Sequence, residues 1–360
     1  MKFAIFALLE QPAGHKAADV YSKAIEQAEA ADELGFEAIW LAEHHFTEYG
    51  TLASPAVLGT AIAGRTKRLR IGTGVAILPF HDPRRLAEDY ATLDLLSDGR
   101  LDFGVGRGYQ PAEFAGFGVP MSESRSRFTE ALAVIEGLWT QDDFSFAGQH
   151  FQLDGVTLHP KPVQSPPPIW MAAVSPESFE LAARAGKPFL SAPQITPLPK
   201  IKEGYDLYRR IYLEEGHDPS QVVLPLQRHV YAATDEQAAY HDPAEGVMWY
   251  QRLNAKRMSS AESDDSSYAF YKKAQDNLQK MEYDQMFNSG GLLFDTPEKL
   301  VRRIESLETE LGLNYLMCWM NSGGTDQKLV LDSMERFARE VMPHFREVEV
   351  GEEVNALVGG

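Results

Sequence analysis

A TIM-type (β/α)8 barrel of the α/β class is the fold this sequence predicts, on three observations. Short β-like runs alternate with longer helical patterns over nearly the whole chain, the runs number eight, and capped helix starts follow several of them. Such alternation points to parallel strands joined by right-handed crossovers, not to a sandwich or a bundle. At 360 residues the chain is long for one domain, yet barrels of this kind carry more than ~250 residues as a unit with insertions. One domain is therefore expected over residues 1–350, followed by a tail over 351–360.

The strand candidates are residues 3–8, 37–41, 69–76, 101–105, 169–173, 188–191, 222–232 and 315–320. Between them the helices have readable ends. Asp82 and Pro83 supply a cap and a first-turn proline, Leu86, Tyr90 and Leu93 recur at helical spacing, and Gly99 stops the run. Thr296 and Pro297 open another helix, in which Leu300, Ile304, Leu307 and Leu311 form one apolar stripe that ends at Gly312. Asp218-Pro219 and Asp242-Pro243 read as further helix or turn starts. The His-Asp-Pro tripeptides at 81, 217 and 241 are unevenly spaced and capping explains them, so no metal site is expected.

Two stretches break the alternation and are expected to be insertions at the C-terminal face of the barrel. Residues 140–168 carry Gly148, a hairpin pattern and the run Pro166-Pro167-Pro168, and would cover one barrel end near a substrate entrance. Residues 256–291 contain the polar run 259–267, followed by a mixed helical segment and Gly290-Gly291. A lid over the site and a surface linker both fit that pattern.

Composition narrows the function. A formal charge of -18 repels nucleic acid and anionic membranes, although one basic pocket could still hold a single phosphate. Cys318 is the single cysteine, so neither an internal disulfide nor a cysteine-based metal site can form. Residues 1–10 have an apolar run too short for a membrane span and no small-residue cleavage site, so a cytoplasmic location is expected.

Barrel enzymes place their chemistry at the C-terminal ends of strands, and three such places stand out. At Glu43-His44-His45 an apolar strand runs into an acid and two histidines. Neighbouring strand residues face opposite sides, so the histidines cannot both point inward; one is either a proton carrier or a hydrogen-bonded core residue. At Gly106-Arg107-Gly108 the glycines allow close approach to a ligand and the guanidinium suits a phosphate, but a tight turn with a surface arginine also fits. The glycine spacing and the following Tyr109-Gln110-Pro111 exclude a dinucleotide fingerprint. At Ser175 and Ser178 a Ser-Pro helix start can cap its own amides or cradle a phosphate with them. Were Arg107 nearby, one phosphate would account for both places.

Taken together, these residues resemble the bacterial luciferase-like family of flavin-dependent monooxygenases, particularly its alkanal monooxygenase alpha chains. The match runs from Glu43-His44-His45-Phe46 through Asp94-Leu95-Leu96-Ser97-Asp98-Gly99-Arg100 and Gly106-Arg107-Gly108 to Trp249-Tyr250, Asn254-Ala255 and Asn321-Ser322-Gly323. The resemblance implies reduced FMN bound inside the barrel and supplied by a separate flavin reductase, with molecular oxygen and a small organic substrate such as a long-chain aldehyde. It places the FMN phosphate on Arg107, Ser175 and Ser178, with Gly106, Ala173 and Val174 beside them, and makes His44 the catalytic histidine. Gly74 and Val75 would form a non-proline cis peptide beneath the flavin ring, next to Glu43. His45, Glu113 and Trp249 would lie at the flavin or substrate cavity. Relatives that emit light carry a cysteine where Gly106 stands and an acid where Val174 stands, so the pocket must differ here. A deazaflavin-dependent dehydrogenase of the same superfamily and a non-catalytic flavin-binding relative are the alternatives. Members commonly dimerise through helices near the start of the barrel, which makes residues 55–64 and 83–97 the expected homodimer interface.

Overall fold

The first strand, β1 (Lys2–Ala7), shows how the chain sorts its apolar residues. Phe3 and Ile5 join the large core between sheet and helices, whereas Ala4 and Phe6 pack with Trp40, Trp170 and Met317 inside the curl of the sheet. A period-2 pattern that is apolar on both faces is what a parallel sheet covered by helices requires. The computed structural model describes residues 1–191, 198–258 and 282–345.

The strands that follow are β2 (Ala38–Leu41), β3 (Arg70–Thr73), β4 (Ala76–Ile77), β5 (Leu101–Gly106), β6 (Phe144–Ala147) and β7 (Gln152–Val156). The second half contributes β8 (Ile169–Ala172), β9 (Phe189–Leu190), β10 (Pro225–Ala232), β11 (Leu293–Asp295) and β12 (Tyr315–Trp319). In the main sheet they lie in the order β11-β10-β12-β1-β2-β3-β5-β8-β9, with β4 pairing β5. Every ladder in that sheet is parallel, as in Ile5 opposite Ile39 and Gly72 opposite Asp102.

The eight expected strands are all present, but the closed barrel is not what the ladders describe. Among the described residues β9 and β10 share no ladder, so the sheet is a curled half-barrel open along that seam. β9 is only two residues long, too short to sustain ladders on both of its sides. The expected strand 69–76 is divided into β3 and β4 at a cis Gly74–Val75 peptide. β11, on the outer edge beside β10, was not expected, because three residues are too few to show a period.

Helices close the outer face as their caps foretell. Asp82 accepts a hydrogen bond from the Arg84 amide at the start of the Pro83–Leu96 helix. In the Pro297–Leu311 helix the stripe Leu300, Ile304, Leu307 and Leu311 is buried, and Gly312 ends it in the left-handed region at φ 70°. The 140–168 insertion contains the expected hairpin, β6 antiparallel to β7. Of the 256–291 insertion, residues 259–281 lie outside the described residues, and with them the choice between lid and linker; Tyr283–Asn288 is helical. Among the described residues no helix is long and apolar enough to cross a membrane.

Candidate active site

The ends of β2, β5 and β8 converge on one cavity of about 340 Å³. Glu43 and His44 enter it from the end of β2, Gly106 and Arg107 from β5, and Val174, Ser175 and Ser178 from the turn after β8. The cis pair Gly74 and Val75 forms part of the wall between them. Arg107 and Ser175, distant along the chain, therefore share a pocket. Glycine at 106 is dictated by this packing, since a Cβ there would come within 2.5 Å of the Val75 side chain. Gly108 adopts φ +77°, a conformation that favours glycine and lets the chain turn away after Arg107.

Ser175 caps the Pro176–Arg184 helix in a reciprocal box: its Oγ accepts from the Ser178 amide and Ser178 Oγ accepts from the Ser175 amide, the latter at 2.9 Å. Ser178 Oγ also accepts from the Val174 amide at 3.0 Å and donates to the Ser175 carbonyl at 2.7 Å. The N-terminal end of the helix thus borders the cavity, with Arg107 and Arg125 also in the wall. Arg125 is paired with Glu177 at 2.8 Å on the exposed rim.

Two histidine–carboxylate networks lie beside it. His44 Nδ1 stands 2.9 Å from Glu113 Oε1, which also accepts from the His45 amide at 3.0 Å. An ionised carboxylate can only accept, so Nδ1 carries a proton and Nε2 is the nitrogen left to face a ligand. The His44 ring packs edge-on to Tyr49, whose hydroxyl is 3.2 Å from that of Tyr109 and 3.3 Å from that of Tyr250. His45, beyond the end of β2, points away from the cavity: its Nε2 donates to Glu43 Oε1 at 2.8 Å, and His81 Nε2 donates to the same oxygen at 2.6 Å. Burial would raise the Glu43 carboxyl, but the hydrogen bonds and charge of His45 and His81 hold it below its ordinary value. The same pairing carries His81 above its usual value despite the opposing effect of burial.

Residues 1–314 match the family described as luciferase-like monooxygenase. The chain belongs to that family. Among relatives, the alkanal monooxygenase alpha chain of the Kryptophanaron alfredi symbiont is 29% identical over 96% of this chain and 99% of its own length. The oxygenase component of the flavin-dependent trigonelline monooxygenase from Acinetobacter baylyi is 28% identical over 97% of each. Among solved structures, the monooxygenase RslO1 from Streptomyces bottropensis superposes with a TM-score of 0.86 at 30% identity, over 96% of this chain and 100% of its own. The fold alone is shared with an oxygenating constituent of 3,6-diketocamphane monooxygenase from Pseudomonas putida in complex with FMN, at TM-score 0.81 and 20% identity over 97% and 99% of the chains. It is shared likewise with an F420-dependent secondary alcohol dehydrogenase, at TM-score 0.74 and 20% identity over 96% and 99%.

In this luciferase-like monooxygenase not every residue singled out in the sequence reaches the cavity. Ala173 is wholly buried behind it, and Glu113 and His45 stand one layer back, holding His44 and Glu43. Trp249 packs with the aromatic cluster of Tyr49, Tyr250 and Trp319 instead. The cavity wall also includes Phe6, Tyr109, Arg125, Met171, Gln227 and Met317, which sequence reasoning did not single out. Phe6, Gln227 and Met317 are inward residues of strands, and an inward position looks like core until the sheet's curl is known. His81 was read only as part of a helix cap; it approaches Glu43 across 38 positions of chain, a contact that local spacing cannot show.

Proposed function

We propose that this chain is the oxygenase component of a two-component monooxygenase that takes reduced FMN from a separate flavin reductase and uses molecular oxygen to oxidise a small organic substrate in the cytoplasm. The observation that carries the reading is the convergence of Arg107 with the Ser175-capped helix on one cavity, because that pair matches a single phosphate at the end of a planar, largely apolar ligand. The residues fit the group: its volume of about 340 Å³ is that of a small-molecule site, with charge at one end and Phe6, Val75 and Met317 along the wall.

Arg107, Ser175 and Ser178 would hold the phosphate, and the Gly74–Val75 peptide would lie under the ring system with Glu43 beside it. Bound reduced FMN supplies the oxygen chemistry; the chain's part is to orient, protonate and keep water out. His44, held by Glu113 through Nδ1, accepts and returns one proton at Nε2. The substrate we put first is a long-chain aldehyde. We read the curled sheet as a TIM-type barrel interrupted at the seam between β9 and β10. A homodimer is proposed through the helices Pro55–Ala63 and Pro83–Leu96, where Val57, Leu95 and Leu96 are exposed.

Anaerobic titration with reduced FMN, followed by oxygen and an aldehyde series, tests the reading. Saturable binding of reduced FMN and oxygen uptake coupled to product are expected. Turnover that needs no oxygen, with a deazaflavin as hydride carrier, would replace the monooxygenase by the dehydrogenase of related fold.

A further inference from the structure

Behind the cavity wall, Glu43, His45 and His81 present three ligand atoms within 4.8 Å of one another. They come from two neighbouring strand ends: Glu43 and His45 follow β2, and His81 follows the 3-10 turn Leu78–Phe80 after β4. Glu43 Oε1 is the shared vertex, at 2.8 Å from His45 Nε2 and 2.6 Å from His81 Nε2, while Glu43 Oε2 accepts from the Ile77 amide at 3.2 Å. That last bond orients the carboxylate as an outer-shell partner orients a metal ligand. The side chains of Glu43 and His45 are 1% and 6% exposed, but that of His81 is 25% exposed, so the cluster is open to solvent on one side only. Around His45 the rings of Phe117 at 4.7 Å and Phe80 at 5.9 Å form an apolar collar.

We propose that Glu43, His45 and His81 form a binding site for one borderline divalent cation of the zinc and cobalt kind, with water in the fourth position on the His81 side. Two imidazoles and one carboxylate are the donor set such ions take, whereas magnesium and calcium require oxygen. Tetrahedral bonds of ~2.0–2.1 Å put ligand atoms about 3.4 Å apart, so the nitrogens of His45 and His81 must draw back from Oε1 by about 0.6 and 0.8 Å. His81 stands at the hinge between a short turn and the cap of the Pro83–Leu96 helix, where such a shift is small for the fold. On binding, the Nε2 protons that now point at Oε1 leave, to solvent from a charged ring and by tautomer exchange to Nδ1 from a neutral one, and two neutral imidazoles and a carboxylate surround the ion. Because Glu43 also lines the cavity, the ion and the ligand of the cavity share one wall residue.

The test uses the full chain, freed of metal by chelation and without flavin, so it is independent of the proposed monooxygenase reaction. Titration with Co2+ should give one equivalent of binding and visible absorption of four-coordinate intensity. His81→Ala should weaken binding by more than the roughly 10–100-fold that loss of an outer-shell partner costs. His241→Ala, remote from the cluster, should leave binding unchanged. His81→Cys should bind Co2+ with a new thiolate-to-cobalt charge-transfer band, a readout that holds even if His81→Ala folds poorly. No stoichiometric Co2+ binding by the unmodified chain, retention of full affinity in His81→Ala, or absence of the charge-transfer band in His81→Cys would each overturn the site.

Discussion

His44 and His229 show how burial and partners give the same side chain opposite uses. His44 has a carboxylate on Nδ1 and a cavity in front of it, so it can exchange a proton. Replacing it by alanine should lower product formation by roughly 100-fold or more while leaving flavin binding within a few-fold of the parent, measured by turnover and by fluorescence titration. Equal turnover would remove His44 from the chemistry. His229 is buried on β10, stacked on Trp319 at 4.2 Å with Nδ1 2.8 Å from Ser322 Oγ, and burial followed by the charge of Arg228 pushes it down to about 3. Its folded value lies below the unfolded value of ~6.5, so the unfolded chain binds the extra proton as the pH falls. The stability this residue confers is therefore complete above pH ~6.5 and declines toward pH 3, by up to about 1.4 kcal/mol per pH unit. Urea unfolding at several pH values should show a shallower decline in His229→Gln; parallel curves for the two proteins would contradict the assignment.

At the scale of elements, the strand ends were largely legible and their partners were not. The motif residues Glu43, His44, Gly106, Arg107, Ser175 and Ser178 lie at strand ends around one cavity, and each follows an apolar run that ends in a glycine, a proline or a charge. What the sequence could not show was which inward strand residues meet across the curl, since Gln227 and Met317 carry no local signal of lining a cavity. The division of 69–76 into two strands has the same cause: its backbone is set by neighbours, not by propensity. Gly104 illustrates this. A Cβ there would stand 1.9 Å from the Thr73 carbonyl oxygen, and Thr73 Oγ1 donates to the Gly104 carbonyl at 2.6 Å, so β3 and β5 meet only if residue 104 is glycine. Gly104→Ala should cost about 1–3 kcal/mol or more in stability, read from the denaturation midpoint; an unchanged midpoint would show that the strands can separate freely. Ser175→Ala should act twice, losing about 1 kcal/mol of helix capping and weakening flavin binding in the same variant.

For the whole molecule, the class of fold and the pocket followed from alternation and strand-end chemistry, while closure did not. Eight apolar runs predict eight strands, but a ladder between β9 and β10 depends on strand length, which sequence period does not weigh. Charge also acts at this scale: the net -18 repels an anionic ligand at long range while Arg107 attracts it inside the cavity, so added salt should speed association of an anionic ligand by screening the repulsion, measured by stopped-flow. The proposed dimer face is the second whole-molecule expectation. Val57 and Leu96 are 72% and 60% exposed, and the double change Val57→Asp, Leu96→Asp should convert a dimer to a monomer in sedimentation experiments. A parent chain already monomeric at micromolar concentration would exclude that face as an interface.

The convergence of Arg107 and the Ser175 helix on a phosphate is tested most directly by comparing reduced FMN with reduced riboflavin under anaerobic conditions, in the parent chain and in Arg107→Ala. FMN should bind roughly 100-fold more tightly than riboflavin to the parent, and the difference should nearly vanish in the variant. Equal affinities in the parent, or a preference for FMN untouched by the loss of Arg107, would contradict it.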